Sequence, residues 1–139
     1  MANPLGEQWL SYLRVGARMN QAIERALSSR YGLCVSAFEI MDVMRQQRDW
    51  VRAGEISSRS SRSQPQVSRL LSQMINAEYV ERKPAPGDGR GSEVRLTASG
   101  QEIFQKASET VETVLTELAE EDPDTETLIR PSTATARIG

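Results

Sequence analysis

Two amphipathic stripes bracket this sequence, and they constrain its fold more than any other feature. Leu5, Trp9, Leu13, Gly16, Met19, Ile23 and Leu27 fall at spacings of three and four, which predicts one long helix from Leu5 to about Arg30. Ile103, Phe104, Ala107, Val111, Val114, Leu115 and Leu118 repeat the pattern and predict a second long helix, with Thr97 as its N-cap and an end near Glu121. At 139 residues the chain is a single domain by length, residues 1–139, able to bury a core only just comfortably. Two such stripes are too many for a monomer of that size. Mutual burial in a homodimer fits, so residues 5–30 and 98–130 are expected to be dimerisation helices.

Between the stripes the elements are short. Gly32 stops the first helix. Ser36-Ala-Phe-Glu39 has the form of a capping box for a helix that buries Ala37, Ile40, Met41 and Met44 and runs out near Gln47. Trp50-Val-Arg52 reads as a short strand, and a short helix covers Ala53 to Ser60. The serine-rich run Ser57–Gln66 has a low-complexity composition. A well-formed helix follows it, however, with Ser63 as N-cap, Pro65 in the first turn, and Val67, Leu70, Leu71, Met74 and Ile75 at helical spacing to about Glu78. Tyr79–Lys83 and Ser92–Thr97 alternate with period two, and residues 84–91, rich in Pro and Gly, join them as the long tip of a hairpin. After Asp122-Pro123, residues 124–130 form a short helix and 131–139 a disordered tail. The chain is expected to be mainly α with a small β-hairpin wing (α+β), a winged helix-turn-helix with its core in residues 33–97.

Composition narrows the chemistry. The chain has no His and one Cys, Cys34, which excludes a structural zinc site, a Cys-His nucleophile pair and a Ser-His-Asp triad. No enzyme activity, metal or cofactor is expected. Cys34 reads as a small buried thiol. No apolar run approaches the ~20 residues of a membrane span, and the N-terminus lacks a signal-peptide pattern, so a cytoplasmic protein with no membrane partner is expected. The net charge of −2 is unevenly spread. Residues 51–95 hold eight basic against five acidic residues, while 96–139 hold three against nine. A basic middle made mostly of Arg suits phosphate and guanine. The acidic residues of 109–126 read as a solvated face.

The hairpin resembles the wing of the MarR family of bacterial transcriptional regulators. The likeness lies in Asp88-Gly-Arg90, then Val94-Arg-Leu96-Thr97-Ala-Ser-Gly100. Upstream, "SQPQVSRLLSQMINAEYVERKP" looks like the family's recognition helix and first wing strand, and "GLCVSAFEIM" like the start of its second helix. The resemblance spans roughly residues 9–121. It implies a homodimer on a pseudo-palindromic double-stranded DNA operator, a repressor whose recognition helices enter major grooves and whose wings reach minor grooves. It also implies release by a small, often aromatic, effector. On this reading Ser63 starts a helix whose first-turn N–H groups can hold phosphate. Gln64 and Gln66 can pair with adenine, and Ser68 and Arg69 lie on or near the same face. Arg59 and Arg62 flank the groove and bind phosphate, or merely solubilise the turn. Arg90 enters the minor groove, with Asp88 orienting it. Trp9, Tyr12, Tyr31, Phe38 and Met41 are candidates to line an effector pocket, or are core. The family pattern has apolar residues roughly where Ser60 and Arg62 stand, so loose packing is expected at the end of the third helix. The other reading is a winged-helix protein-interaction module that has lost DNA binding.

Overall fold

Helix α1 spans Pro4–Tyr31, entered through a proline in its first turn and ended by Gly32, whose φ of 67° is left-handed. The computed structural model describes residues 3–47, 49–87 and 91–136. After α1 come α2 (Val35–Gln47), β1 (Val51–Arg52), α3 (Ala53–Arg59), α4 (Gln64–Asn76), β2 (Val80–Pro84), β3 (Ser92–Leu96), α5 (Ala98–Glu121) and α6 (Pro123–Ala136). The sheet is antiparallel with strand order β1-β3-β2. Among the described residues no helix is long and apolar enough to cross a membrane.

One core joins the helix-turn-helix to the sheet. Ile40, Met41 and Met44 of α2, Ile56 of α3, Val67 and Leu71 of α4, Val51, Val80 and Val94 of the sheet, and Phe104 of α5 are all buried. Phe38 stacks on Phe104 with ring centroids 4.9 Å apart, tying α2 to α5. Helix α1 joins through its C-terminal half, where Leu27 is buried and Ile23 packs against the core. The Tyr31 hydroxyl donates to the Lys106 carbonyl at 3.1 Å and sits 2.6 Å from the Thr110 hydroxyl.

The predicted stripe of α1 therefore divides. Its N-terminal half points to solvent, with Leu5, Trp9, Leu10, Tyr12 and Leu13 all exposed. Arg18 of α1 holds the junction of α5 and α6, its Nε donating to Asp122 Oδ2 at 2.9 Å. The Thr125 hydroxyl donates to the same oxygen at 2.8 Å. That bond, with the Arg18 bond and charge, holds the Asp122 carboxyl below its ordinary pKa against a smaller desolvation cost.

Two sequence expectations need correction. Ser36 and Glu39 do not form a capping box, because α2 begins earlier, at Val35. Its first amides are met by Glu24, which accepts from Val35 N at 3.2 and 3.3 Å, and by the Cys34 sulfur, 3.3 Å from Ala37 N. Cys34 is half-buried and in no disulfide among the described residues, and its sulfur is an acceptor at the head of α2. The last helix also outruns its expected end: α6 continues through 131–136, leaving only 137–139 of the expected tail outside the described residues.

Helix α4 ends in a Schellman motif. Tyr79 N bonds Met74 O at 2.9 Å and Glu78 N bonds Ile75 O at 3.0 Å. Glu78 thereby takes a φ of 66°, where a Cβ is strained and glycine is the usual residue. Glu78→Gly should raise stability by up to about 1 kcal/mol, read as a higher melting temperature. A lower one would show that Glu78 holds the turn through its side chain.

Candidate nucleic-acid interface

The motif is built by α3 and α4, joined by residues 60–63. Buried Ile56 and Val67 lock the two helices together. The opposite face of α4 leaves Pro65, Ser68, Arg69 and Ser72 exposed. No acidic residue occurs anywhere in α4, so Arg69 is its one charge. Among the described residues Arg69 has no ion-pair partner. The predicted pair Ser68 and Arg69 is thus presented to solvent.

The other residues singled out in the sequence have internal partners. Ser63 caps α4 as expected, accepting from Gln66 N. Gln66 returns the bond, its Oε1 accepting from Ser63 N at 3.2 Å. Its amide therefore belongs to the cap. Gln64 Nε2 donates to the Gly54 carbonyl at 3.3 Å and ties α4 to α3. The capping box and the missing N–H of Pro65 leave only the Gln64 amide unbonded in the first turn. Fewer backbone donors face an anion there than the sequence implied.

Arg62 is drawn inward. Its Nε donates to Glu39 Oε1 at 2.9 Å, and both side chains are about one-third exposed or less. Glu39 also accepts from Ser61 N at 3.0 Å and from the Ser61 hydroxyl at 2.9 Å. Burial pushes the Glu39 carboxyl up, but these bonds and the Arg62 charge together hold it below its ordinary pKa. Its stabilising contribution is complete above the ordinary carboxylate range and is lost as pH falls through the lowered value. The turn expected to be loosely packed at Ser60 and Arg62 is held by a carboxylate in place of apolar contacts.

Arg59 makes a loose 3.8 Å pair with Glu55, exposed on both sides, so it contributes little to stability and stays available to phosphate. Asp88 and Arg90 lie outside the described residues. One cation was missed. Arg82 stands opposite Val94 and shares its strand face with buried Val80, yet it is exposed and without an ion-pair partner among the described residues. Strand parity could have found it, because positions 80, 82 and 84 share a face and an Arg there marks where the core ends.

On the sheet's other face, Lys83 and Arg95 are held structurally. Trp50 lies 4.5 Å from Lys83 Nζ and 4.4 Å from the Arg95 guanidinium carbon. Lys83 also pairs with Glu93 at 3.7 Å, and Arg95 with Glu81 and Asp49.

The proposed effector set does not assemble within one chain. Trp9 and Tyr31 are about 33 Å apart along α1 at ~1.5 Å per residue. Met41 is fully buried, Phe38 stacks in the core, and Tyr12 is half exposed. A cleft of about 620 Å³ opens elsewhere, between the end of α2, β3 and the start of α5, lined among others by Met44, Arg45, Arg95, Thr97 and Gln101.

A short turn between two helices, the second capped and uncharged but for Arg69, followed by an antiparallel wing, defines a winged helix-turn-helix protein. Residues 31–91 match the model of the MarR family. The whole chain also has the fold of solved MarR-family regulators. It superposes on wild-type MarR from E. coli in its apo form with a TM-score of 0.76 at 21 % identity, covering 100 % of both chains. A MarR-family transcriptional regulator from Rhodococcus sp. RHA1 gives 0.77 at 20 % identity, covering 98 % of this chain and 96 % of that one. A mutant E. coli MarR complexed with operator DNA gives 0.71 at 22 % identity, covering 95 % of this chain and 93 % of that one. No curated protein matches the sequence.

Proposed function

We propose that this chain is a sequence-specific DNA-binding transcriptional regulator. It acts in the cytoplasm as a homodimer, represses from a pseudo-palindromic double-stranded operator, and is not an enzyme. The observation that carries the reading is the exposed face of α4, free of carboxylates and centred on Ser68 and Arg69. Arg59 and Arg82 supply further cations, and Arg90, oriented by Asp88, is assigned to the minor groove on its sequence alone. Likeness to a protein whose structure contains operator DNA supports the same reading. Residues 33–97 form the DNA-binding core; α1 and α5 close the dimer, with α6 lengthening the surface. The exposed apolar stripe Leu5, Trp9, Leu13 supports that pairing. A small aromatic effector that releases DNA completes the proposal, and the cleft beside Arg45 and Arg95 has the volume of a small-molecule site.

Selection of bound duplexes from a random library tests the function directly. A short inverted repeat is expected, with half-site centres about 34 Å apart or a multiple of it. Failure to enrich any sequence would remove the reading and favour the interaction module. Arg69→Ala should weaken binding by ~1–3 kcal/mol, and either relax one base position or lower the salt slope by about one. Unchanged affinity would take α4 out of the groove.

A further inference from the structure

The carboxylate of Glu39, on α2, makes three bonds to the turn that sets where α4 lies. It accepts from Ser61 N at 3.0 Å, from the Ser61 hydroxyl at 2.9 Å and from Arg62 Nε at 2.9 Å. The turn has other internal bonds, including Arg62 N to the Ser60 hydroxyl at 3.3 Å. Ser63 N, one residue beyond Arg62, is taken by the α4 capping box. Glu39 thus fixes the backbone immediately before the N-cap of α4 from a different helix. One residue earlier on α2, Phe38 stacks on Phe104 of α5. The same turn of α2 is seated on the long C-terminal helix and grips the helix-turn-helix.

We infer that Glu39 is a positioning residue for DNA recognition, which clamps the α3–α4 turn to α2 and withdraws Arg62 from the cations available to phosphate. This rests on the DNA-binding reading above. Two consequences follow from the charges. The Glu39–Arg62 pair is internally neutral, so Arg62 releases no counterion when DNA binds. Removing the Glu39 charge frees Arg62 and loosens the turn at the same time. Non-specific attraction then rises while the geometry that discriminates among sequences degrades.

The experiment uses the full chain and two probes, a duplex enriched by the wild type from a random library and a scrambled duplex of equal length, each at several salt concentrations. Glu39→Gln is expected to lower the ratio of specific to scrambled affinity about tenfold. It should also steepen the salt dependence on the scrambled duplex by about one unit of slope, as one more phosphate is neutralised. A residue that only supported the fold would not steepen that slope. Arg62→Met leaves both Glu39–Ser61 bonds in place and keeps the experiment decisive if Glu39→Gln does not fold. It should leave the salt slope at its wild-type value. The double variant should cost no more than Glu39→Gln alone.

A slope that falls by about one in Arg62→Met would overturn the inference, because Arg62 would then be a phosphate contact. An unchanged specificity ratio in Glu39→Gln, or additive losses in the double variant, would overturn it too. Amide exchange separates the inference from the reading it rests on. Glu39→Gln should speed exchange at Ser61 whether or not the chain binds DNA, and protection equal to wild type would refute the clamp. Failure of the wild type to prefer any duplex would sink the DNA reading while leaving that exchange result standing.

Discussion

Gly100→Ala is expected to destabilise the chain by about 3 kcal/mol or more, lowering its melting temperature by roughly 10 °C. A Cβ at Gly100 would overlap the carbonyl oxygen of Tyr79 and lie 2.9 Å from its carbonyl carbon. Neither atom can move cheaply, because both belong to the junction where α4, the wing and α5 meet. The Tyr79 carbonyl accepts from Thr97 N at 3.0 Å. The Thr97 hydroxyl donates to Glu78 O at 2.7 Å and accepts from Gly100 N at 2.9 Å. To admit one methyl, the first turn of α5 must lift and these bonds must lengthen, each worth about 1 kcal/mol. Ser99→Ala, one residue earlier and exposed, should change stability by less than about 0.5 kcal/mol. Calorimetry on both variants checks this, and an unchanged midpoint for Gly100→Ala would mean that α5 does not start over Tyr79.

Leu13→Asp should turn the proposed dimer into a monomer at micromolar concentration. Leu13 is 55 % exposed in the single chain, beside Trp9 at 61 % and Leu5 at 81 %. A two-fold interface repeats each substitution on both sides. Losing two partly buried leucines and burying two carboxylates costs about 3 kcal/mol or more, a factor of at least about a hundred in dimer dissociation. Melting of the dissociated chain should change little, because Leu13 is more than half exposed there. Affinity for a palindromic duplex should fall in parallel, since the two half-sites would no longer be bound by one linked pair. Sedimentation at several concentrations gives the answer. A dimer of undiminished strength would place the contact elsewhere.

The fold was legible wherever a local residue type dictates a local geometry. Gly32, Ser63 and Thr97 each end or begin a helix by their own chemistry, and each does so in the structure. Glu39 was misread for the opposite reason. Its partners, Ser61 and Arg62, lie 22 and 23 residues away, and no local pattern carries that information. The extent of α6 was hidden because Pro131 removes a backbone donor and reads as a stop, yet the helix runs on to Ala136. In the interface, Gln64 and Gln66 have amides equally suited to a base edge or to a backbone group. Only the three-dimensional arrangement assigns them to Gly54 and Ser63. Arg69 was the easier inference, as a lone charge on a helix whose apolar face is already accounted for by Val67, Leu70, Leu71 and Met74.

The chain also carries two built-in optical reporters, one on the proposed dimer surface and one beside the wing. Of its two tryptophans, Trp9 stands in the exposed stripe of α1, and the ring of Trp50 lies within 4.5 Å of both the Lys83 ammonium of β2 and the Arg95 guanidinium of β3. The indole of Trp9 is bathed in water until another surface covers it, so its emission responds to association. That of Trp50 is polarised by two cations on the wing strands, so its emission responds to any shift of the wing. With Trp9 or Trp50 alone left in place, fluorescence would follow assembly and wing movement as separate signals from one unlabelled protein.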